Sequence, residues 1–237
     1  MMEIGGLQKL TLIDFPGRIA CTVFLRNCNY RCPFCYNPDL VLPEVIKEHL
    51  PIPEKDFFQF LKEKKGWLEG VCIGGGEPTL NQDLPGFCKT IKKSGYQIKI
   101  DTNGSNPEML KNLIDKKLVD YIAMDIKAPK EKYPKVVGFK DCSKYYLLSK
   151  IEDSVNILKE NKVDYEFRTT VVPKLLTKND VLKIVHWLKP AKKYVLQNFR
   201  AGKAIDSKFE KIKPYSEEFL FSLRETISPF FDICQVR

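Results

Sequence analysis

Apolar, β-rich runs alternate with amphipathic segments along this 237-residue chain, and that alternation narrows the fold more than any other feature. Strands are expected over 19–26, 70–74, 97–102, 121–126, 164–172 and 193–199. Helical patterns lie at 54–65, 84–94, 107–117, 151–160, 178–189 and 216–228. Their ends carry physical punctuation. Gly95 follows the basic turn of Lys92 and Lys93, Pro53 stands near a helix start, and Pro190 closes the fifth helix. Short apolar strands separated by helices build a parallel sheet with helices packed outside it. Right-handed crossovers then curl the sheet in one sense. Six units fall short of the eight that close a barrel. The expected fold is α/β: an open partial (βα)6 TIM-like barrel with parallel strands, a single domain over 1–237. An N-terminal extension is expected over 1–18, and a C-terminal helix and tail from about 214 to 237.

Composition removes several function classes. The first eighteen residues lack the apolar core and small-residue cleavage site of a signal peptide. No run approaches the ~20 apolar residues of a membrane span. The chain is therefore expected in the cytoplasm, with no membrane partner. Lys and Arg exceed Asp and Glu by 39 to 30, a formal charge of +9. Basic surfaces attract polyanions, but these charges are scattered, so a solvated surface is expected and nucleic acid is not an expected partner.

Cysteine placement is more informative. Of eight cysteines, Cys28, Cys32 and Cys35 crowd into one loop, spaced C-x3-C-x2-C after the first expected strand. Cys21, Cys72, Cys88, Cys142 and Cys234 are dispersed and read as small buried hydrophobes. Clustered thiols in a reducing compartment point to metal or redox chemistry rather than disulfides. Three thiolates on a short loop suit three corners of an iron–sulfur cluster and leave one iron open. The alternative is structural zinc, which needs four ligands and often a second C-x2-C pair; no such pair exists. Cys21 is mid-strand, while His49 in a loop and His186 in the fifth helix are poor substitutes.

The other strand ends are polar or glycine-rich, where a parallel barrel presents its site. Gly74-Gly75-Gly76-Glu77-Pro78 follows the second strand, read either as a tight turn or as a close approach of backbone to ligand. Asp101-Thr102-Asn103-Gly104 ends the third, which is also turn chemistry. Asp125-Ile126-Lys127 ends the fourth, and the strand period of two puts its acid and base on one face. Arg168 on the fifth strand suits a carboxylate or an ion pair with Glu166.

The cysteine triad with Phe34 before its last member resembles the signature of the radical S-adenosylmethionine (SAM) superfamily, and the glycine run resembles that family's GGE(P) motif. The strand-end motifs resemble those of glycyl-radical-enzyme activating enzymes, including the pyruvate formate-lyase activating enzyme. Leu10-Thr11-Leu12-Ile13-Asp14-Phe15-Pro16-Gly17-Arg18 is similar to the opening of anaerobic ribonucleoside-triphosphate reductase activating proteins. The resemblance runs along nearly the whole chain. It implies one [4Fe–4S] cluster on Cys28, Cys32 and Cys35. It also implies SAM held by Phe34, Tyr36, Gly75, Gly76, Glu77, Asp125, Lys127 and Arg168. A monovalent cation on Asp101, Thr102, Met124 and Asp125 is implied as well. Some relatives carry a SAM-contacting histidine near the position of Phe199; this chain has none there, with Gln197 or Asn198 as substitutes. The stretch between Cys35 and the second strand holds no cysteine, which excludes a cluster-bearing insert at that place.

The implied activity is that of an activase: reductive cleavage of SAM, then hydrogen abstraction from a glycine of a partner enzyme. The implied partners are a glycyl radical enzyme, such as anaerobic ribonucleotide reductase, and a one-electron donor such as ferredoxin or flavodoxin. Two alternatives stay open: a small-molecule enzyme like 7-carboxy-7-deazaguanine synthase, and a non-catalytic metal or nucleic-acid module.

Overall fold

The computed structural model describes residues 2–139 and 144–237, so Cys142 lies outside the described residues. The described strands form one sheet in chain order from β1 to β8. β1 (Ile4–Thr11) runs antiparallel to β2 (Ala20–Leu25) at one edge. Short helices α1 (Pro38–Val41) and α2 (Pro43–Ile46), then α3 (Glu54–Glu63), lead to β3 (Gly70–Gly75). α4 (Leu84–Lys93) precedes β4 (Gln97–Thr102), and α5 (Pro107–Asp115) precedes β5 (Tyr121–Asp125). α6 (Tyr133–Val136) and α7 (Lys144–Lys159) lead to β6 (Asp164–Val171), and α8 (Lys178–Leu188) to β7 (Ala191–Asn198). α9 (Glu217–Ile227) leads to the far edge, β8 (Phe231–Val236). Every pairing from β2 to β8 is parallel.

The open, mostly parallel sheet matches the expected architecture, and all six expected strands are present. Two edge strands extend the sheet. β1 lies in the segment read as an extension, where Gly5, Gly6 and the exposed Gln8, Lys9 and Leu10 break any alternation. β8 likewise exposes Asp232, Ile233 and Gln235, as an edge strand can. The motif at 10–18 sits at the N-terminal end of β2, opposite the cysteine loop, since Thr11 pairs with Ala20. There it stoppers the barrel: Phe15 is buried beside Ala20, Cys72 and Tyr121, and Thr22 Oγ1 donates to Asp14 at 2.6 Å.

Strand alternation separates two environments. Outward residues such as Ile98, Ile100, Ile122 and Phe167 are fully buried in the apolar core. Inward residues are charged where a closed barrel would stack branched aliphatics. Glu166, with no exposed side-chain surface, is gripped by Arg237 through both carboxylate oxygens at 2.9 and 3.1 Å. Lys193 lies at 3.1 Å from it, and Tyr121 Oη donates to it at 3.0 Å. The expected alternative of an Arg168–Glu166 pair gives way to this arrangement, with Arg168 turned to Asp125 and Asp101 instead.

Burial alone would raise the Glu166 carboxyl, but Arg237, Arg168 and Lys193 outweigh it and hold it below its ordinary value of 4.5. Its stabilising contribution is thus complete above about pH 4.5 and is lost as pH falls through the lower folded value. Glu166→Gln, which takes the buried carboxylate away from Arg237 and Lys193, is expected to cost about 3 kcal/mol at pH 7 and to flatten the acid limb of stability. Urea titrations at neutral and acidic pH check this; a loss under about 1 kcal/mol or an unchanged acid limb would contradict it.

Candidate active site at the strand ends

Beyond Leu25 the chain enters the cysteine loop through Asn27, whose φ of 71° is a left-handed conformation that Asn tolerates. Arg31 braces the loop from within, donating through Nη1 to the carbonyls of Cys28 and Tyr30 at 2.6 and 2.8 Å. Its backbone N–H donates to Val137 at 2.9 Å, tying the loop to the end of α6. The turn after β3 closes on the same loop. Gly76 N–H donates to Leu25 O at 2.8 Å and Glu77 N–H to Asn27 O at 2.7 Å. A Cβ on Gly75 would lie 2.5 Å from Leu25 O, and one on Gly76 only 2.0 Å from Asn27 O. These glycines permit backbone to meet backbone, a reason the sequence reading did not contain.

Glu77 is the node of the strand-end layer, 1% exposed. Its Oε1 accepts from Thr79 N, Thr79 Oγ1 and Thr102 Oγ1 at 3.1, 2.5 and 2.7 Å, and its Oε2 accepts from Asn103 N at 2.6 Å. Desolvation raises its pKa against the pull of these donors. A carboxylate offers about four lone-pair sites, and these four donors match that number. Asn103 continues the layer by donating to Asn29 in the cysteine loop at 2.9 Å.

Arg168 Nε donates to Asp125 at 2.8 Å, and its Nη1 lies 3.3 Å from Asp101. Lys127 Nζ reaches the other Asp125 oxygen at 2.9 Å, and Lys99 pairs with Asp101. Burial opposes ionisation of Asp101 and Asp125, yet Arg168 with Lys99 or Lys127 outweighs it, and both carboxyls fall below their ordinary range. Lys127 is pushed up despite burial, by Asp125 and by the neighbouring Cys32 thiol.

One cavity of about 610 Å³ gathers the expected residues: Cys28, Cys32, Phe34, Cys35, Tyr36, Gly75, Gly76, Glu77, Asp125, Lys127 and Arg168 all line it. That volume suits a small-molecule site. Of the residues tied to a monovalent cation, Asp101, Thr102 and Asp125 are on the wall, whereas Met124 is buried against Gly104. Any cation there competes with Lys99, Lys127 and Arg168 for the same carboxylates. The wall also includes Tyr30, Gln8 and Arg237, which the sequence reading did not assign. Tyr30 sits in the signature's spacer and was legible in principle, while only the fold brings in Gln8 and Arg237.

Burial pushes the Cys28 thiol up to about 11 and Cys32 to about 12, so a metal that binds them must displace their protons. All three thiols are free and share one wall, a donor set suited to a soft iron–sulfur group. The buried Tyr30 hydroxyl beside the thiols has no hydrogen-bond partner among the described residues. Such a group costs ~1–3 kcal/mol, a cost that a bound ligand can offset. The residues present fit the group.

An open parallel barrel with a three-cysteine loop and a glycine turn at its strand ends defines a class of cluster-binding enzyme. The family model described as Radical SAM superfamily matches residues 22–188. A Methanocaldococcus jannaschii protein named as a glycyl-radical enzyme activating enzyme is 32% identical over 236 residues, 99% of this chain and 95% of its own length. A pyruvate formate-lyase-activating enzyme of Listeria monocytogenes is 32% identical over 135 residues, 53% of each chain. Streptococcus suis SuiB bound to precursor peptide SuiA shares the fold, with a TM-score of 0.66 at 15% identity over 88% of this chain and 46% of that one. The chain belongs to the radical SAM superfamily and is an enzyme. The family implies a [4Fe–4S] cluster and SAM.

Gly76→Ala, facing rigid backbone at 2.0 Å, is expected to destabilise by about 2–3 kcal/mol. Gly86→Ala, in α4 with open space around it, should instead stabilise by about 0.5–1 kcal/mol. Equal effects in chemical denaturation would contradict the packing account.

Proposed function

We propose that this enzyme is an activase that removes a hydrogen atom from the Cα of one glycine in a partner protein, a glycyl radical enzyme such as anaerobic ribonucleotide reductase. The observation that carries the proposal is the match along 99% of the chain to a protein named for that activity. When bound, the cluster and SAM supply one electron and a carbon-centred radical, with methionine released.

The chain's own residues hold and orient. Cys28, Cys32 and Cys35 would bind three irons of the cluster. The Gly75-Gly76-Glu77 turn, on the cavity wall, would meet the amino group of SAM. Lys127 and Arg168, fixed by Asp125 on either side, suit a carboxylate or ribose hydroxyls. Phe34, buried, and Tyr36, 40% exposed, would flank the adenine. The cavity wall includes Gln8 of β1 and Arg237 beyond β8, at the two ends of the sheet. The first and last strands are not neighbours in the sheet, and such an open sheet favours entry of a protein loop, which a closed barrel would exclude.

Anaerobic reconstitution, reduction and assay for 5′-deoxyadenosine test the reading. Cys32→Ala is expected to abolish the product, and Lys127→Ala to weaken SAM binding by roughly tenfold, about 1.4 kcal/mol. Each glycyl radical enzyme of the same source serves as candidate partner, with a stable glycyl doublet in electron paramagnetic resonance as the expected signal. Turnover with a pterin-type small molecule, and no doublet with any partner, would overturn the activase reading.

A further inference from the structure

Period-two alternation along β4 turns Lys99 and Asp101 to the same face, into the barrel interior. Register sets Lys99 beside Cys72 of β3 and Tyr121 of β5, the residues that pack on Phe15, and its side chain is 1% exposed. A lysine so placed keeps its charge only against a carboxylate, and Lys99 Nζ donates to Asp101 Oδ1. The second Asp101 oxygen faces Arg168 Nη1 at 3.3 Å. At Asp125, one oxygen accepts from Arg168 Nε at 2.8 Å and the other from Lys127 Nζ at 2.9 Å. Every carboxylate oxygen of these two aspartates therefore faces a cation that the chain itself supplies.

The simplest reading of such pairs is structural, as in the Glu166 cluster below them. Their position adds a second consequence, because Asp101, Thr102, Met124 and Asp125 are the residues tied by resemblance to a monovalent cation. As folded, this set does not fit one. The Thr102 hydroxyl, 3% exposed, is engaged twice: it donates to Glu77 at 2.7 Å and accepts from Gly104 N–H at 3.1 Å. Met124 has no exposed surface. A metal ion seated among these oxygens would stand beside three like charges in an interior that screens them weakly. Asp101 lines the cavity while Lys99 is buried beneath it, so the ammonium neutralises that carboxylate from the floor and leaves the cavity side to a ligand.

We propose that the Lys99 ammonium is a built-in replacement for the alkali cation, so that this enzyme orders its aspartate layer and binds SAM without a monovalent metal. Lys99 is a positioning residue: it fixes Asp101, which with Asp125 holds Arg168. The proposal goes beyond the activase reading and rests on neither the partner nor the reaction.

The test compares the full chain, reconstituted anaerobically, in KCl and in choline chloride at equal ionic strength, so that general screening is the same. Urea midpoints and SAM affinity by equilibrium dialysis are the readouts. Wild-type protein is expected to give the same values in both salts. Lys99→Met, which keeps the apolar stem and removes the charge, is expected to bind SAM roughly tenfold more weakly in choline chloride. Potassium should restore much of that affinity and raise the variant's urea midpoint, as an ion that binds only the folded state must. Adding Asp101→Asn to Lys99→Met should abolish the potassium response. Wild-type protein whose midpoint or SAM affinity rises in KCl would overturn the assignment, as would a folded Lys99→Met variant indifferent to potassium. Should neither Lys99→Met nor Lys99→Gln fold, the wild-type comparison decides alone. Wild-type chain that binds SAM in neither salt would sink the cofactor reading instead, since the midpoints still report on the cation.

Discussion

Two backbones meet in this molecule with no room for a side chain between them, and the strand-end layer is assembled around that meeting. The turn after β3 donates hydrogen bonds to Leu25 and Asn27, and the space at Gly76 is so small that even a methyl group would collide with Asn27 O at 2.0 Å. This contact fixes where the cysteine loop leaves β2. It also carries Glu77 into a buried position, where it accepts from residues on the next two turns. The layer then extends sideways through Thr102 and Asn103 to Asn29, so three consecutive strand ends become one hydrogen-bonded unit.

Below that layer the barrel interior is filled by charge. Lys99, Asp101, Arg168, Asp125 and Lys127 form one chain of pairs, and Glu166 with Arg237 and Lys193 forms another. Isolated buried charges are costly, so such groups persist only when each has partners at good distance. The arrangement leaves a polar cavity where aliphatic layers would fill a closed barrel. It also holds Lys127 and Arg168 extended toward the cavity, since both share Asp125 as anchor. Ordering those side chains before a ligand arrives lowers the entropic cost of binding it.

The parallel strands and their helices were legible because period-two and period-3.6 patterns were strong and their breaks were marked by Gly95, Pro53 and Pro190. β1 and β8 were not, because an edge strand exposes one side and loses the alternation that identifies it. At the site, the cysteine spacing and the Asp125-x-Lys127 pair were readable from local sequence alone. The partner of Arg168 was not: Glu166 on the same strand was the anion read for it, and only the register of β5 against β6 sets Asp125 opposite Arg168. Arg237 was beyond any local pattern, since its grip on Glu166 spans 71 residues of chain.

One short loop, braced by its neighbours, would present three thiols to the four-iron group that the family implies. Iron and acid-labile sulfide analysis of anaerobically reconstituted protein, paired with Mössbauer spectra, tests it most directly. The account predicts about four irons and four sulfides per chain in a diamagnetic cubane environment, lost in a chain whose Cys28 is replaced by alanine. Colourless protein without sulfide, or a single tetrahedral metal at one equivalent, would contradict it.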